Sequence, residues 1–190
     1  MIDPEVLLQG YRLGVFPMAM ADGAIEWFSP DPRAILPLDG FHVPHTLGRV
    51  ARKKTFEIRI DVSFVEVMRE CAHRRETWIN DEIISSYTQL HELGHAHSVE
   101  TWQDGKLAGG LYGVAIGGAF FGESMFHRVR DASKIALLGL VERLRERKFV
   151  LLDTQWTTPH LKQFNAIEIP RAKYLHLLTT AVNLARTFAD

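Results

Sequence analysis

The sequence predicts an α+β fold, with a mixed β-sheet flanked by helices. Three strand-like runs follow one another, separated by the hairpin turns DGK and IGG: HSVETWQ, LAGGLYGVAIG and GAFFGESMF. The next run, DASKIALLGLVERLRERK, repeats apolar residues at helical spacing behind Asp131, its expected N-cap. The strand FVLLD, a helical turn, the short run IEI and an amphipathic helix from Pro170 complete the chain. Hairpins followed by a helix, a strand and another helix are typical of an α+β layer.

The first half of the chain supplies the other elements. A helix is expected from Pro4 to about Arg12, because proline is preorganised for the first helical position. The stretch that follows, to about residue 43, is rich in proline, glycine and aromatic residues and is predicted to be irregular; long ordered loops are often functional. Beyond it we expect a short helix over HTLGRVARKK, a strand at TFEIRI, and a helix that Asp61 caps and that reaches about His73.

The length and composition suit one globular domain, or a domain with a small appendage. Of the 190 residues, 46% are hydrophobic and 24% are charged, which is enough to bury a sizeable core. We divide the chain into residues 1–43, the N-terminal helix and irregular segment, and residues 44–190, the main domain.

Charge and cysteine content narrow the class of protein. The net charge of −1 gives no global affinity for nucleic acid, although a local basic patch could still bind it. The single Cys71 cannot form an internal disulfide, which fits a reducing cytosol, and its apolar surroundings favour a buried structural thiol. The sequence has no apolar run near the ~20 residues of a membrane span and no signal-peptide core. We expect a soluble cytoplasmic protein with no membrane partner.

Residues 91–95 read HELGH, the H-E-x-x-H pattern of zinc metalloproteases. That pattern binds zinc only when both histidines share one face of a helix. A helix is predicted over residues 81–93, but Gly94 follows its last periodic residue, where a left-handed helix end is expected. Such an end would remove His95 from the face that carries His91, so we predict no metal site.

Two polar pairs near the ends of apolar strands form the candidate catalytic cluster. Glu123 and Ser124 follow Gly122, and glycine there permits a bulge or a close backbone approach, both common at active sites. Asp153 and Gln155 lie two residues apart in LLDTQ, so they share one face of the strand. On the pattern alone, helix capping explains these side chains equally well.

Two segments could bind phosphate. Ser133 and Lys134 lie at the start of the long predicted helix, where backbone N–H groups attract anions; the alternative is an ordinary first turn with a solvated lysine. The densest basic run of the chain is RVARKK, with Arg49, Arg52, Lys53 and Lys54. Such a run is more often a solvated helix face, but it could also hold phosphates without sequence specificity.

The order of elements matches the acyl-CoA N-acetyltransferase type of fold. A Coenzyme A enzyme of that type would have a glycine-rich pyrophosphate loop before its long helix, whereas RVRDAS contains no glycine. Coenzyme A is therefore disfavoured as a cofactor. Trp27 and Trp78 lie near predicted loops, where they could stack on bases or simply belong to the core.

Nine segments, in order and over nearly the whole chain, resemble the leucyl/phenylalanyl-tRNA–protein transferase family: YRLGVFPM, WFSPDPRAILPL, TWI, LHELGHAHSVETW, GGLYGV, FFGESMF, ASKIALLGL, LLDTQ and IPRAKY. The resemblance implies an N-acetyltransferase-like fold without Coenzyme A, with no metal and no other cofactor. It implies an enzyme that transfers Leu, Phe or Met from charged tRNA to proteins with N-terminal Arg or Lys, which marks those proteins for degradation.

The resemblance also implies roles for individual residues. Glu123, Asp153 and Gln155 match the family's polar catalytic residues. Trp78 matches an aromatic residue that contacts the terminal adenosine, and the basic run at 49–54 falls where the family binds the tRNA stem. The pocket for the transferred side chain corresponds to Leu111, Phe120, Met125, Leu140 and Leu152.

Three features depart from the family pattern. A further N-terminal segment with a GLLA-type motif is expected to be missing, which would affect a lid over the aminoacyl site. Met18 stands where some members have a second adenosine-facing tryptophan. Residues 162–166, KQFNA, replace the commoner SLGA and place Asn165 at the glycine. We expect that last change to be harmless, because asparagine tolerates a left-handed backbone.

The implied reaction is attack of a peptide α-amine on an ester. An α-amine has a pKa of ~8, so about a tenth is already neutral at pH 7, and positioning matters more than a strong base. We hypothesise that Gln155, held by Glu123, orients the amine or the carbonyl, and that Asp153 stabilises the incoming ammonium or the basic acceptor side chain. Two alternatives stay open: an acyl-CoA-dependent N-acetyltransferase and a non-catalytic tRNA-binding module.

Overall fold

The structure is a computed structural model and describes residues 1–189. Its helices are α1 (Pro4–Arg12), α2 (His45–Arg52), α3 (Phe64–Ala72), α4 (Asp81–Glu92), α5 (Ala132–Glu146), α6 (Pro159–Lys162) and α7 (Arg171–Val182). Its strands are β1 (Phe16–Ala19), β2 (Ile25–Phe28), β3 (Arg33–Ile35), β4 (Glu57–Ile60), β5 (Ala96–Gln103), β6 (Lys106–Ile116), β7 (Ala119–His127), β8 (Leu151–Gln155) and β9 (Ile167–Ile169).

Most strands join one mixed sheet. Strands β1 and β2 pair as a separate antiparallel ribbon, and the others follow the order β4-β5-β6-β7-β8-β3-β9. Neighbours in the large sheet are antiparallel except β7 and β8, which run parallel and pair from Ala119 opposite Leu151 to Phe121 opposite Asp153. The predicted α+β architecture, a mixed sheet flanked by helices, is confirmed.

Two apolar clusters lie on opposite faces of the large sheet. One packs side chains of α1, α3, α4 and α7 against the sheet, and the other packs those of α2 and α5. Neighbouring residues of β6 show the alternation of a pleated strand, because Tyr112 belongs to the first cluster and Leu111 to the second. Helix α1 is integral to the first cluster through Leu7, Leu8 and Tyr11.

The segment between α1 and α2 is more regular than predicted. It contains the β1–β2 ribbon, and β3 lies inside the large sheet between β8 and β9. Short strands rich in proline and aromatic residues carry too little alternation to be recognised from sequence. The predicted domain boundary after residue 43 stays a prediction, although β3, which precedes it, is paired with strands that follow it.

Several element ends differ from the sequence predictions. Asp61 is not a helix cap: Ser63 holds that position before α3, and the Asp61 carboxylate accepts from the Ser98 amide at 2.8 Å. Asp131 does precede α5, but its carboxylate accepts from Lys134 at 3.0 Å rather than from a backbone amide. Asn165 has a φ of +68°, so the tolerance expected of asparagine at that turn is confirmed.

The helix that carries the HELGH segment ends as predicted. Helix α4 stops at Glu92, and Gly94 takes a left-handed φ of +79°. The His91 ring stacks on Phe64 with centroids 4.3 Å apart, and its Nδ1 lies 2.8 Å from the Ala96 carbonyl oxygen. The histidines therefore do not share a helix face, and residues 1–189 hold no cluster of three His, Cys, Asp or Glu side chains suited to a metal ion.

Two further sequence expectations concern burial and membranes. Cys71 is completely buried, and burial raises the pKa of its thiol to about 12, which confirms a structural thiol. None of the helices in the described part of the chain combines the length and apolar character needed to cross a bilayer.

Candidate functional site

A β-bulge places Glu123. In the β6–β7 ladder Tyr112 pairs with Ser124, but the next residue, Gly113, pairs with Gly122, so Glu123 is the extra residue of a bulge. Gly113 is required because a Cβ there would lie 2.3 Å from the Phe121 carbonyl oxygen. The extra residue re-aims the Glu123 side chain relative to a regular strand.

The second polar residue, Gln155, comes from the strand beside β7. The β7–β8 pairing ends at Asp153, and two residues later Gln155 adopts an unusual left-handed φ of +58°. Its backbone N–H donates to Asp153 Oδ1 at 3.0 Å, and its side-chain Nε2 donates to Glu123 Oε1 at 3.1 Å. The strained backbone therefore holds the Gln155 amide against the Glu123 carboxyl.

Helix α1 contributes a further donor to the same carboxyl. The Tyr11 hydroxyl donates to Glu123 Oε1 at 2.6 Å and also contacts the Tyr87 hydroxyl. Burial raises the pKa of Glu123 to about 8, and the nearby Asp153 charge acts in the same direction, against the opposing effects of Tyr11, Arg33 and Gln155. Near neutral pH this carboxyl is therefore poised between its two protonation states.

Asp153 has a different environment. It has no exposed surface, and Arg33 donates to both its oxygens, from Nε at 2.9 Å and from Nη2 at 2.6 Å. The Tyr174 hydroxyl and the Gln155 amide, each at 3.0 Å, complete its shell. The hypothesis that Asp153 stabilises the incoming ammonium or the basic acceptor side chain stays a prediction, and in the structure its oxygens are already occupied by protein donors. Through its bond to the Gln155 amide, Asp153 fixes the turn that carries Gln155.

A cavity of about 500 Å³ opens beside Glu123 and Gln155. Its apolar lining comes from β1, β6, β7, β8, α5 and α6 and from the segments before α4 and after β8: Phe16, Met18, Trp78, Leu111, Met125, Leu137, Leu140, Leu152, Trp156 and Leu161. Among the lining residues that the structure describes, Glu123 is the one carboxylic acid. The arrangement is an apolar pocket that ends at one carboxyl and one amide.

Most of the residues singled out from sequence meet at this cavity. Those that line it are Glu123, Gln155, Trp78, Leu111, Met125, Leu140, Leu152 and Ser133. Phe120 does not, because it is fully buried in the core and packs against Phe188 with ring centroids 5.1 Å apart. Lys134 does not line it either, and its ammonium is paired with Asp131.

The basic run lies apart from the cavity, on α2 and the turn after it. Arg49, Arg52, Lys53 and Lys54 are all exposed. Within residues 1–189 none of the four is in an ion pair with a carboxylate. This surface could meet a polyanion without breaking an existing pair.

Four of the residues that sequence reasoning missed stand out by their contacts or position. Tyr11 and Arg33 bond to the two carboxyls, and Arg74 and Trp156 line the cavity. Arg33 had one visible signal, since a charged residue inside the apolar run RAIL needs a buried partner. Tyr11 had none, because its partner is 112 residues away.

Comparisons with known proteins identify similar chains. The family model described as leucyl/phenylalanyl-tRNA protein transferase matches residues 35–179, and the model of that family's N-terminal domain matches residues 1–31. The protein named leucyl/phenylalanyl-tRNA–protein transferase in Herpetosiphon aurantiacus is 56% identical over 188 residues, 98% of each chain. The protein of that name in Rubrobacter xylanophilus is 54% identical and covers 99% of each chain.

One solved structure with a similar arrangement is AAC(6')-Iy in complex with a bisubstrate analog. It is 16% identical, with a TM-score of 0.40, over 70% of this chain and 92% of that one.

Proposed function

This chain belongs to the leucyl/phenylalanyl-tRNA–protein transferase family, and we propose that it transfers Leu, Phe or Met from aminoacyl-tRNA to the α-amino group of proteins that begin with Arg or Lys. Family membership makes it an aminoacyltransferase. The observation that carries the finer proposal is the single cavity in which an apolar pocket ends at Glu123 and Gln155. The enzyme would act in the cytoplasm, need no cofactor besides its aminoacyl-tRNA substrate, and direct the modified proteins to degradation.

The apolar pocket would select the transferred amino acid. Leu111, Met125, Leu140 and Leu152 line it, and an apolar pocket separates side chains that differ by one methylene by only ~1–3 kcal/mol. Shape must supply the remaining selectivity. Met125 is flexible and half-buried, so it can adapt to both an aliphatic and an aromatic guest.

The chemistry needs one bond to form and one to break. The acceptor nitrogen bonds to the ester carbon, the bond from that carbon to the ribose oxygen breaks, and the ribose oxygen takes up the proton that the amine releases. Gln155 Nε2 donates one of its two N–H groups to Glu123, and the amide oxygen is the side-chain atom that can accept from the attacking amine. This assignment keeps Gln155 as the orienting residue.

Glu123 would take the proton. Its pKa of about 8 matches that of an α-amine. In its ionised form it would attract the acceptor's ammonium, and in its protonated form it would return a proton to the ribose oxygen. This role replaces the one first assigned to Asp153, which lies behind Gln155 and is sealed by Arg33.

One assay tests the proposal. The protein is incubated with radiolabelled Leu-tRNA and a protein that begins with Arg, and the product is sequenced from its N-terminus. We expect an added N-terminal Leu, and none on the same protein with an acetylated N-terminus. The Glu123→Gln variant should lose roughly 100-fold or more in kcat/KM. Binding of Leu-tRNA without transfer would favour the binding-module alternative, and saturable heat from acetyl-CoA would favour the acetyltransferase.

The basic run is proposed to hold the tRNA stem. Replacing Arg49, Arg52, Lys53 and Lys54 with glutamine should raise the KM for Leu-tRNA, and each lost phosphate contact should flatten the salt dependence by about one unit of slope. Leucyl-adenosine, which has no stem, is the matched control substrate and should keep its KM. An unchanged KM and slope for Leu-tRNA would leave these cations as a solvated surface.

A further inference from the structure

Arg74 brings a positive charge to the cavity. It is exposed, and within the described residues it is the one lysine or arginine in a lining that is otherwise mostly apolar. It follows α3 and precedes Trp78, another lining residue. A permanent cation beside an apolar pocket has no part in holding an apolar side chain, so it points to a second feature of the substrate.

The guanidinium is held in place without being neutralised. Nε donates to the Cys71 carbonyl at 2.8 Å, and Nη2 donates to Ser124 Oγ and to the Met125 carbonyl, both at 2.7 Å. All three acceptors are uncharged, and within residues 1–189 no carboxylate lies in ion-pair range of Arg74. Nη1 takes no part in these three bonds, so its two N–H groups can serve a ligand.

Three other arginines with two or more hydrogen bonds are paired with acids, whereas Arg145 and Arg186 donate to backbone carbonyls and lie outside the cavity lining. Arg33 pairs with Asp153, Arg59 with Glu57, and Arg128 with Glu66 and Glu70. Arg74 differs from the three paired arginines, because its hydrogen bonds fix the guanidinium group but no carboxylate neutralises its charge. A guanidinium group that is fixed in position and still has free N–H groups suits a phosphate or a carboxylate ligand.

We propose that Arg74 binds the phosphodiester that joins the last two nucleotides of the aminoacyl-tRNA. The proposal rests on the proposed function. With the aminoacyl side chain in the apolar pocket and its ester at Glu123, the nucleic acid must leave through the open side of the cavity. Ser124 and Met125, which hold Arg74, directly follow Glu123, so their backbone lies only about 3–7 Å along β7 from it. One ribose beyond the ester, the first charge that the nucleic acid carries is this phosphodiester.

Two small substrates test the proposal directly. Leucyl-adenosine carries no phosphodiester, and the leucyl ester of the dinucleotide cytidylyl-adenosine carries one. We expect the wild-type protein to prefer the dinucleotide by roughly tenfold in kcat/KM, as one charge-assisted contact allows. In Arg74→Gln that ratio should fall to about one, and in Arg74→Lys part of it should remain. Arg75→Gln, at the neighbouring exposed arginine outside the lining, should keep the wild-type ratio.

Several outcomes would overturn the assignment. A wild-type protein without preference for the dinucleotide excludes a phosphodiester contact. An equal loss on both substrates in Arg74→Gln, with the preference kept, makes Arg74 a support for β7 only. The third outcome concerns acceptor proteins that carry Asp or Ala as their second residue. If Arg74→Gln changes the preference between these acceptors but keeps the ratio between the two nucleotide substrates, Arg74 contacts the acceptor protein.

The same variants separate this proposal from the proposed function. If neither small substrate is used but Leu-tRNA is, the salt dependence of the KM for Leu-tRNA decides: a slope smaller by about 0.7 in Arg74→Gln supports the contact, and an unchanged slope overturns it. If the wild-type protein transfers nothing even from Leu-tRNA, the proposed function fails first. Matching thermal transitions of all variants would show that folding is not the cause.

Discussion

Two buried carboxyls on neighbouring strands have opposite surroundings. Asp153 accepts hydrogen bonds from the Arg33 guanidinium and from two further donors, and it has no exposed surface. Glu123 has two uncharged donors, Tyr11 and Gln155, and faces a cavity. The first carboxyl is held in an ion pair, whereas burial raises the pKa of the second to about 8.

The contrast shows how one polar cluster divides its tasks. A buried ion pair with all its hydrogen bonds made has little left to offer a substrate, and it serves geometry. A buried acid without a cation can gain or lose a proton near neutral pH, which is what proton transfer requires. Under the proposed function, Asp153 holds Gln155 in position and Glu123 takes the proton.

The largest expected effect comes from breaking the buried ion pair between Arg33 and Asp153. Arg33→Met leaves Asp153 buried without its cation and should lower the free energy of unfolding by about 3–5 kcal/mol. Arg59→Met is the matched control, because it breaks an exposed pair with Glu57 and should change stability far less. Urea denaturation measures both. Similar losses in the two variants would mean that the Arg33–Asp153 pair has no special structural weight.

The next effect separates the carboxyls by pH. The pKa of Glu123 is about 8 in the folded protein against 4.5 for the free group. The folded state therefore binds the proton more tightly, and this group's contribution to stability is lost as pH rises from about 4.5 to about 8. Relative to the wild type, Glu123→Gln should become more stable across that window, by up to about 5 kcal/mol. A constant difference between pH 5 and pH 9 would show that Glu123 titrates normally.

Removing the Tyr11 hydroxyl should move the titration of the active carboxyl. Its hydrogen bond lowers the pKa of Glu123, so Tyr11→Phe should shift the rise of kcat/KM with pH upward by about one unit. Tyr112→Phe is the control, since Tyr112 also lines the cavity and its hydroxyl has no partner among residues 1–189. If both variants keep the wild-type pH profile while stability falls in Tyr11→Phe, the role of Tyr11 is structural.

The smallest effect is expected from two tyrosine hydroxyls, which should contribute to the free energy of unfolding with opposite signs. Tyr174 donates to Asp153 at 3.0 Å, so Tyr174→Phe should lower the free energy of unfolding by about 2 kcal/mol. Tyr112→Phe removes a buried hydroxyl without a partner and should leave stability unchanged or raise it by up to about 1 kcal/mol. Thermal denaturation at one pH is sufficient. A loss in Tyr112→Phe as large as that in Tyr174→Phe would contradict the distinction.

The sequence predicts what is local and periodic. Glu123 and Gln155 were recognisable because each is a polar residue in an apolar strand, and Gly94 ended α4 as its conformational freedom suggested. The sequence indicated that Gly122 could permit a bulge, but it did not show that Glu123 is the extra residue. Phe120 and Met125 pack in the same apolar cluster although they are an odd number of residues apart, and only an inserted residue allows that.

The role of Asp153 could not be read locally. Its partner Arg33 lies 120 residues earlier, in a segment whose short strands carry no clear alternation. Asp153 and Gln155 are only two residues apart, but which of them meets the cavity depends on the Arg33 guanidinium that occupies Asp153. Ion pairs between residues so far apart in sequence depend on the tertiary structure. The periodicity of about a dozen consecutive residues does not predict them.

The long separation of these partners also has a consequence for synthesis. Tyr11 and Arg33 leave the ribosome early, but their partners Glu123 and Asp153 follow 112 and 120 residues later. At about 5–20 residues per second, both early side chains wait for several seconds before their bonds can form. Contacts between such distant residues also form slowly during folding. The contacts around Glu123 and Asp153 are therefore completed only after β8 has emerged, so a translation product that stops before Gln155 lacks a residue to which the proposed function assigns the transfer.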